Sequence, residues 1–132
     1  MFKNASGGPG LETLLPAFWT GCEQHGIAPP MVARQLCRNP ARHFLLDDRK
    51  GGLSPGQDAD FVLLKPERHR FDPSKSLSAV TWSSFEDMEF SVRVTATYSR
   101  GRPVYLEGKI ANQAGGESRF LRPHRNSVTR AP

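Results

Sequence analysis

The stretch Val92-Arg-Val-Thr-Ala-Thr-Tyr-Ser-Arg-Gly-Arg-Pro-Val-Tyr-Leu106 decides how the second half of the chain folds. Val92, Val94, Ala96 and Tyr98 alternate with Arg93, Thr95 and Thr97, the period-two pattern of a half-buried strand. Ser99-Arg-Gly-Arg102 is a turn, with Gly101 available for a positive φ, and Pro103-Val-Tyr-Leu106 returns as the partner strand. An antiparallel hairpin of 92–98 with 103–107 is expected. Upstream, Phe61-Val-Leu-Leu64 is a short apolar run bounded by Asp60 and Lys65-Pro66. It fits a strand covered on both faces and joins the hairpin in one sheet. Residues 72–90 between them read as a long loop carrying Trp82, Phe85, Met88 and Phe90.

Toward the N-terminus the period changes. Leu11, Leu14, Leu15, Phe18, Trp19 and Cys22 fall at helical spacing and form one apolar stripe, read as a core face. Pro16 is compatible with that helix if Thr13 is its N-cap, because the third helical residue has no intrahelical partner for an N–H. Gly21 or Gly26 ends the helix. Pro29-Pro30 opens a second helix to about Cys37, with Val32 and Leu36 inward. Asn39 as N-cap and Pro40 as first residue then start a short third helix over 41–46. Gly51-Gly52 breaks the chain before the strands. Helices followed by strands make an α+β chain.

Bulk properties bound the function. The 132 residues include 12 Gly and 11 Pro, are 37% hydrophobic, and carry a net charge of +5. With a mean hydropathy of −0.51, a core built by this chain alone is thin. Residues 117–132 hold four arginines against one glutamate, so the tail is basic; with one aromatic and no motif it reads as a disordered, solvated terminus. Nucleic-acid binding is not expected from that charge alone, nor membrane binding, since no apolar run approaches 18 residues. Cys22 and Cys37 stand fifteen apart, neither a metal knuckle nor a redox pair, and are expected as buried small hydrophobes in a reducing cytoplasm.

Little here has the spacing of a catalytic centre. His25, His43, His69 and His124 form neither an HxH nor an HExxH arrangement, so each reads as a surface or structural histidine. There is no nucleophile elbow. Asp58 and Asp60 are paired carboxylates just ahead of a strand, expected as solvated acids. Gly7-Gly-Pro-Gly10 opens the first helix and offers backbone N–H groups.

Four blocks agree in order with a known family. They are Ser6-Gly-Gly-Pro-Gly-Leu-Glu-Thr-Leu-Leu-Pro16, Asn39-Pro-Ala-Arg42, the segment from Lys50-Gly-Gly to Asp58-Ala-Asp-Phe-Val-Leu-Leu64, and Ser99-Arg-Gly-Arg-Pro-Val-Tyr105. Together they resemble the C-terminal third of the cyclic amidohydrolases, the dihydroorotases, allantoinases and dihydropyrimidinases or hydantoinases. Trp82-Ser-Ser-Phe-Glu86 is similar to the family's return to its small sandwich.

The resemblance implies an α+β fragment. Residues 1–50 would be the last loop and helices of a metal-dependent-hydrolase (β/α)8 barrel. Residues 51–116 would be part of the small β-sandwich domain, and 117–132 the tail. It implies a parent enzyme that opens a cyclic amide with zinc-activated water. Ser6 and Gly7 would touch the substrate through their backbone, Ser6 standing where the family has Phe or Asn. The zinc ligands of the family match nothing in this chain and are expected upstream of it, so the chain alone is expected to hold no metal and show little activity. The alternative is a non-catalytic scaffold of the same fold. With the barrel absent, the stripe from Leu11 to Trp19 would lie uncovered and favour self-association.

Overall fold

A computed structural model describes residues 8–80, 82–111 and 119–124. Three short helical segments follow α1 (Leu14–Gln24): α2 (Pro29–Ala33), a π-helical turn (Arg34–Arg38) and α3 (Asn39–His43). Four strands, β1 (Phe61–Arg70), β2 (Glu89–Ser99), β3 (Arg102–Leu106) and β4 (Lys109–Ile110), form one sheet in the order β1-β2-β3-β4. The order helices-then-strands is as read. The chain divides into two compact units, residues up to 27 with 65–93, and 28–64 with 94 onward.

In the first unit α1 begins after Thr13, so Pro16 is its third residue and sacrifices no helical hydrogen bond. It ends at Gly26, where Gly26 N–H donates to Glu23 O (3.1 Å) and Ile27 N–H to Cys22 O (2.8 Å), a Schellman closure. The buried face differs from the expected stripe. Leu11 is 96% exposed, Leu14 and Phe18 are also exposed, and the buried residues are Thr13, Pro16, Thr20 and Cys22. A polar staple selects that face: the Thr20 hydroxyl donates to Pro16 O (2.7 Å) and accepts from Ser91 N–H (3.0 Å). The core of this unit is Phe90, 1% exposed, ringed by His69, Phe71 and Phe85 at centroid distances of 5.8–6.3 Å.

The expected loop 72–90 is shorter. Phe71 N–H donates to Met88 O and Asp87 N–H to Phe71 O, which closes it at its base, and Glu89 already belongs to β2. A short 3-10 turn, Pro73–Lys75, starts at Asp72, whose carboxylate accepts Ser74 N–H at 3.0 Å. β1 continues through Lys65-Pro66 to Arg70 instead of stopping at Leu64. Among the described residues it is an edge strand, the place in a sheet where proline is tolerated.

In the second unit Pro29 opens α2 as expected, and the short third helix is present as α3, but it already includes Asn39 and ends at His43 instead of running over 41–46. Asn39 has helical dihedrals (φ −66°, ψ −45°) and its side chain donates to Gln35 Oε1 (2.9 Å), so it caps nothing. The π turn over Arg34–Arg38 precedes Pro40. A proline inside an α-helix clashes with the carbonyl four residues back, and a wider turn relieves that clash. Val32 and Ala41 are buried, whereas Cys37 is exposed, contrary to expectation.

The hairpin is as expected. β2 and β3 are antiparallel with Ala96 opposite Leu106 and Ser99 opposite Arg102, around Arg100 (φ 50°) and Gly101 (φ 76°), a tight turn with both central residues left-handed. Val92 and Ala96 are buried and Val94 and Tyr98 half-buried. The register shifts between Thr97 and Tyr98, where Tyr98 faces Pro103. A second tight turn at Glu107-Gly108 adds β4, which the sequence reading did not foresee. Phe61 stacks on Tyr98 at 4.5 Å. Val62 and Leu63 are exposed, so 61–64 is not covered on both faces.

Gly51 holds the turn after α3 close to the helix. Its φ is +86°, and a Cβ there would lie 2.6 Å from Ala41 Cβ and 3.0 Å from Cys37 O. Gly56 has a similar φ of +94° with open space around it. Gly51→Ala therefore meets both strain and collision and should destabilise the chain by more than Gly56→Ala, whose cost is the left-handed strain alone, about 1–3 kcal/mol. Urea unfolding of the two variants gives the comparison; equal midpoints would contradict the close packing of Gly51.

Candidate functional site

The substrate contacts implied by resemblance, Ser6 and Gly7, lie outside the described residues. The segment that follows them is well fixed. Gly10 O accepts from Leu14 N–H (2.8 Å) and from the Thr13 hydroxyl (3.2 Å). Glu12 reaches out of the loop and its carboxylate takes Leu77 N–H at 2.7 Å. Trp82 lies across Gly8, where a Cβ would come within 3.0 Å of its ring.

Between 8–13 and the 71–83 loop is an open cleft of about 300 Å³, lined by Pro9, Leu11, Phe71, Val80 and Trp82 together with Ser76, Ser78 and Ser83. Its one carboxylate, Glu12, is committed to Leu77, and neither histidine nor cysteine lines it. Among the described residues the cleft offers apolar surface, hydroxyls and the Glu12 carboxylate, one oxygen of which takes Leu77 N–H. The sequence reading missed both Glu12 and Trp82 as organisers of this loop; the quoted Gly10-Leu-Glu12 block was the available signal.

A metal centre needs several ligands converging. Among the described residues no three His, Cys, Asp or Glu side chains do so. The histidines are individually occupied or apart: His43 sits edge-on to Phe44 at 5.0 Å, His69 meets Glu67 O at 3.2 Å, and His124 meets Asp47 at 2.9 Å. The described residues do not fit a zinc centre.

Asp58 and Asp60 are not solvated acids. Arg49 Nη2 donates to both oxygens of Asp58 (2.9 and 3.1 Å), and Lys50 Nζ bridges Asp58 (3.0 Å) and Asp60. The other Asp60 oxygen accepts Arg100 N–H at 2.7 Å. Gln57 completes the cluster, donating to Asp47 O (2.9 Å) and Lys50 O (3.2 Å) and accepting Ser54 N–H (3.1 Å). The bonds from Arg49 and then Lys50 hold the Asp58 carboxyl below its ordinary value. Burial opposes the Lys50 charge, but its bonds to Asp60 and Asp58 outweigh that and hold it above the ordinary ammonium value. A carboxylate held as Asp58 is serves as a structural support and is poorly suited to proton transfer at neutral pH.

A profile of the amidohydrolase family matches residues 32–105. An allantoinase of Bacillus velezensis is 39% identical over 99 residues, covering 75% of this chain and 21% of that protein. An allantoinase of Rubrobacter xylanophilus is 33% identical over 132 residues, covering 98% and 28%. Among solved structures, an L-hydantoinase (dihydropyrimidinase) from Arthrobacter aurescens superposes with a TM-score of 0.76 at 30% identity, covering 82% of this chain and 24% of that one. The chain belongs to the amidohydrolase family. Its relatives place it with the cyclic amidohydrolases, and it spans about a quarter of their length. The small sheet with its helices is a piece of the hydantoinase fold.

The Asp58 cluster sets a pH dependence. A depressed carboxyl stabilises the fold above its ordinary value near 3.8, and that stability is lost as pH falls through the lower folded value. A raised Lys50 stabilises below 10.5 and loses this as pH rises through its higher folded value. Asp58→Asn should therefore lower the thermal midpoint at neutral pH, and the gap to the parent chain should close once acid protonates Asp58. Thermal melts across the acid range check this; a gap unchanged down to about pH 2 would contradict it.

Proposed function

We propose that the chain is the C-terminal portion of a zinc-dependent enzyme that hydrolyses a ring C–N bond in a cyclic amide, with allantoin as the first candidate and hydantoins or dihydropyrimidines next. The observation that carries this reading is the 39% identity to an allantoinase, over a chain whose family match spans 32–105. Zinc would supply the activated water such a hydrolysis needs at neutral pH. The described residues do not fit that metal, so their part is support. Residues 1–50 serve as barrel loop and helices, 51–116 as a share of the β-sandwich, and 117–132 as a basic tail. Ser6 and Gly7 hold the ring's amide edge by backbone groups; the Gly10 to Thr13 segment after them in sequence is fixed by its own hydrogen bonds.

Two further parts belong to the same reading. The exposed face of Leu11, Leu14 and Phe18 supports self-association of the chain by itself. A cytoplasmic setting is supported by Cys22 and Cys37 standing as free thiols. Among the described residues no helix is long and apolar enough to cross a membrane. No observation favours the non-catalytic scaffold.

Replacing the matching C-terminal segment of the Bacillus velezensis allantoinase with this chain tests the proposal. The chimaera should fold, bind metal and open allantoin. A folded, metal-loaded chimaera without turnover of allantoin, hydantoin or dihydropyrimidine rings would overturn it. The chain alone should hold no stoichiometric zinc by elemental analysis; one tightly bound metal per chain would contradict the assignment of a supporting role.

A further inference from the structure

The cleft between 8–13 and the 71–83 loop lies within the first unit, and its lining selects by polarity and charge. Ser76, Ser78 and Ser83 line it. Each already uses its oxygen for a backbone N–H two residues on. Ser78 N–H donates to Ser76 Oγ (3.0 Å), Val80 N–H to Ser78 Oγ (3.2 Å) and Phe85 N–H to Ser83 Oγ (3.1 Å). A hydroxyl bonded in this way still has its proton to give. Among the described residues no acceptor takes those three protons. Glu12 is the opposite case. One of its oxygens takes Leu77 N–H, and the other is left as an acceptor.

The rest of the lining is apolar, with Phe71 and Trp82 as its aromatic surfaces. The volume is about 300 Å³, against about 150 Å³ for a cavity that takes benzene. That leaves room for one ring and a polar substituent. The walls are held before any ligand arrives. The Glu12–Leu77 bond and the Trp82 ring on Gly8 tie the two segments together, and the bonds between Phe71, Asp87 and Met88 close the base of the loop. Binding to walls already fixed orders little of the chain.

We propose that this cleft binds a small flat ring bearing a neutral amide edge. The ring lies against Trp82 and Phe71, a serine hydroxyl gives its proton to the carbonyl, and the amide N–H goes to the free oxygen of Glu12. Glu12 is the one charged side chain in the lining, so an anion meets repulsion with no cation to offset it. A cationic amidine brings N–H groups to hydroxyls that also donate, and those donors stay unpaired. This holds whichever ring the parent enzyme opens.

Benzamide, benzoate and benzamidine have nearly the same shape and differ in charge and in the edge they present. Proton–nitrogen correlation spectra of the full chain, titrated with each, read the cleft at the Leu77 and Ser78 amides and the Trp82 indole N–H. Benzamide should give saturable shifts there at about 1–10 mM, the affinity open to so few atoms. Benzoate and benzamidine should bind about tenfold more weakly. Trp82→Ala should weaken benzamide about three- to tenfold, and Trp82→Phe, which keeps a ring, should retain most of the affinity. Trp82 is 51% exposed, so the Phe90 amide should keep its shift in both variants and report a folded unit. Glu12→Gln, whose amide oxygen can still take Leu77 N–H, should narrow the gap between benzamide and benzoate. No saturable shift with benzamide well above that range, equal binding of the three probes, or an unchanged affinity in Trp82→Ala would overturn the site. So would shifts that follow chain concentration in place of probe concentration. Leu11 lines the cleft and is also part of the exposed apolar face with Leu14 and Phe18, and the occupant would then be a second copy.

Discussion

The described second unit depends on the bridge between Lys50 and the two carboxylates that flank Ala59. Lys50 Nζ holds Asp58 and Asp60 together, Arg49 grips Asp58 from the other side, and Asp60 passes the connection on to Arg100 N–H. Two backbone bonds run beside these charges, Asp58 N–H to Arg49 O and Gly101 N–H to Ala59 O, both 2.8 Å. The turn after the helices, the first residues of β1 and the tip of the β2–β3 hairpin are thereby tied to one short segment. Exposed ion pairs taken singly contribute little to stability. Here the charges act jointly with backbone bonds that would otherwise have to find water, and networks of that kind fix geometry more firmly than separate pairs.

The same principle, a polar residue choosing the packing, recurs at Thr20 in the other unit. Its hydroxyl joins Pro16 O to Ser91 N–H, and the helix buries the face that carries Thr20, not the more apolar face of Leu11, Leu14 and Phe18. Hydrophobic burial favours the apolar face in general. With Leu11, Leu14 and Phe18 left exposed, the polar staple decides the matter.

Much of the local structure was legible because it is governed by neighbours in sequence. The alternation from Val92 to Tyr98 and the Arg100-Gly101 turn are short-range signals, and so is the tolerance of α1 for Pro16. What was not legible depends on distant partners. The burial of Thr20 requires Ser91, seventy-one residues away. The continuation of β1 through Pro66 requires knowing that it is an edge. Asn39 reads as a cap by residue type, but the π turn ahead of Pro40 lets the helix run through it. Asp58 and Asp60 look like solvated acids until Arg49 and Lys50 are brought across by the Gly51 turn. The family was legible from four ordered blocks, whereas the contacts assigned to Ser6 and Gly7 rest on that family likeness.

Hydrogen exchange at Arg100 and Gly101 tests the bridge most directly. Their N–H groups bond Asp60 Oδ1 and Ala59 O, so both amides report on the junction. In Asp60→Ala, protection at Arg100 and Gly101 should fall together, and Asp58 N–H should loosen with them, while Phe90 N–H in the other unit keeps its protection. Unchanged protection at Gly101 and Asp58 in a folded Asp60→Ala chain would show that the backbone holds the junction unaided and would contradict the central place given to the bridge.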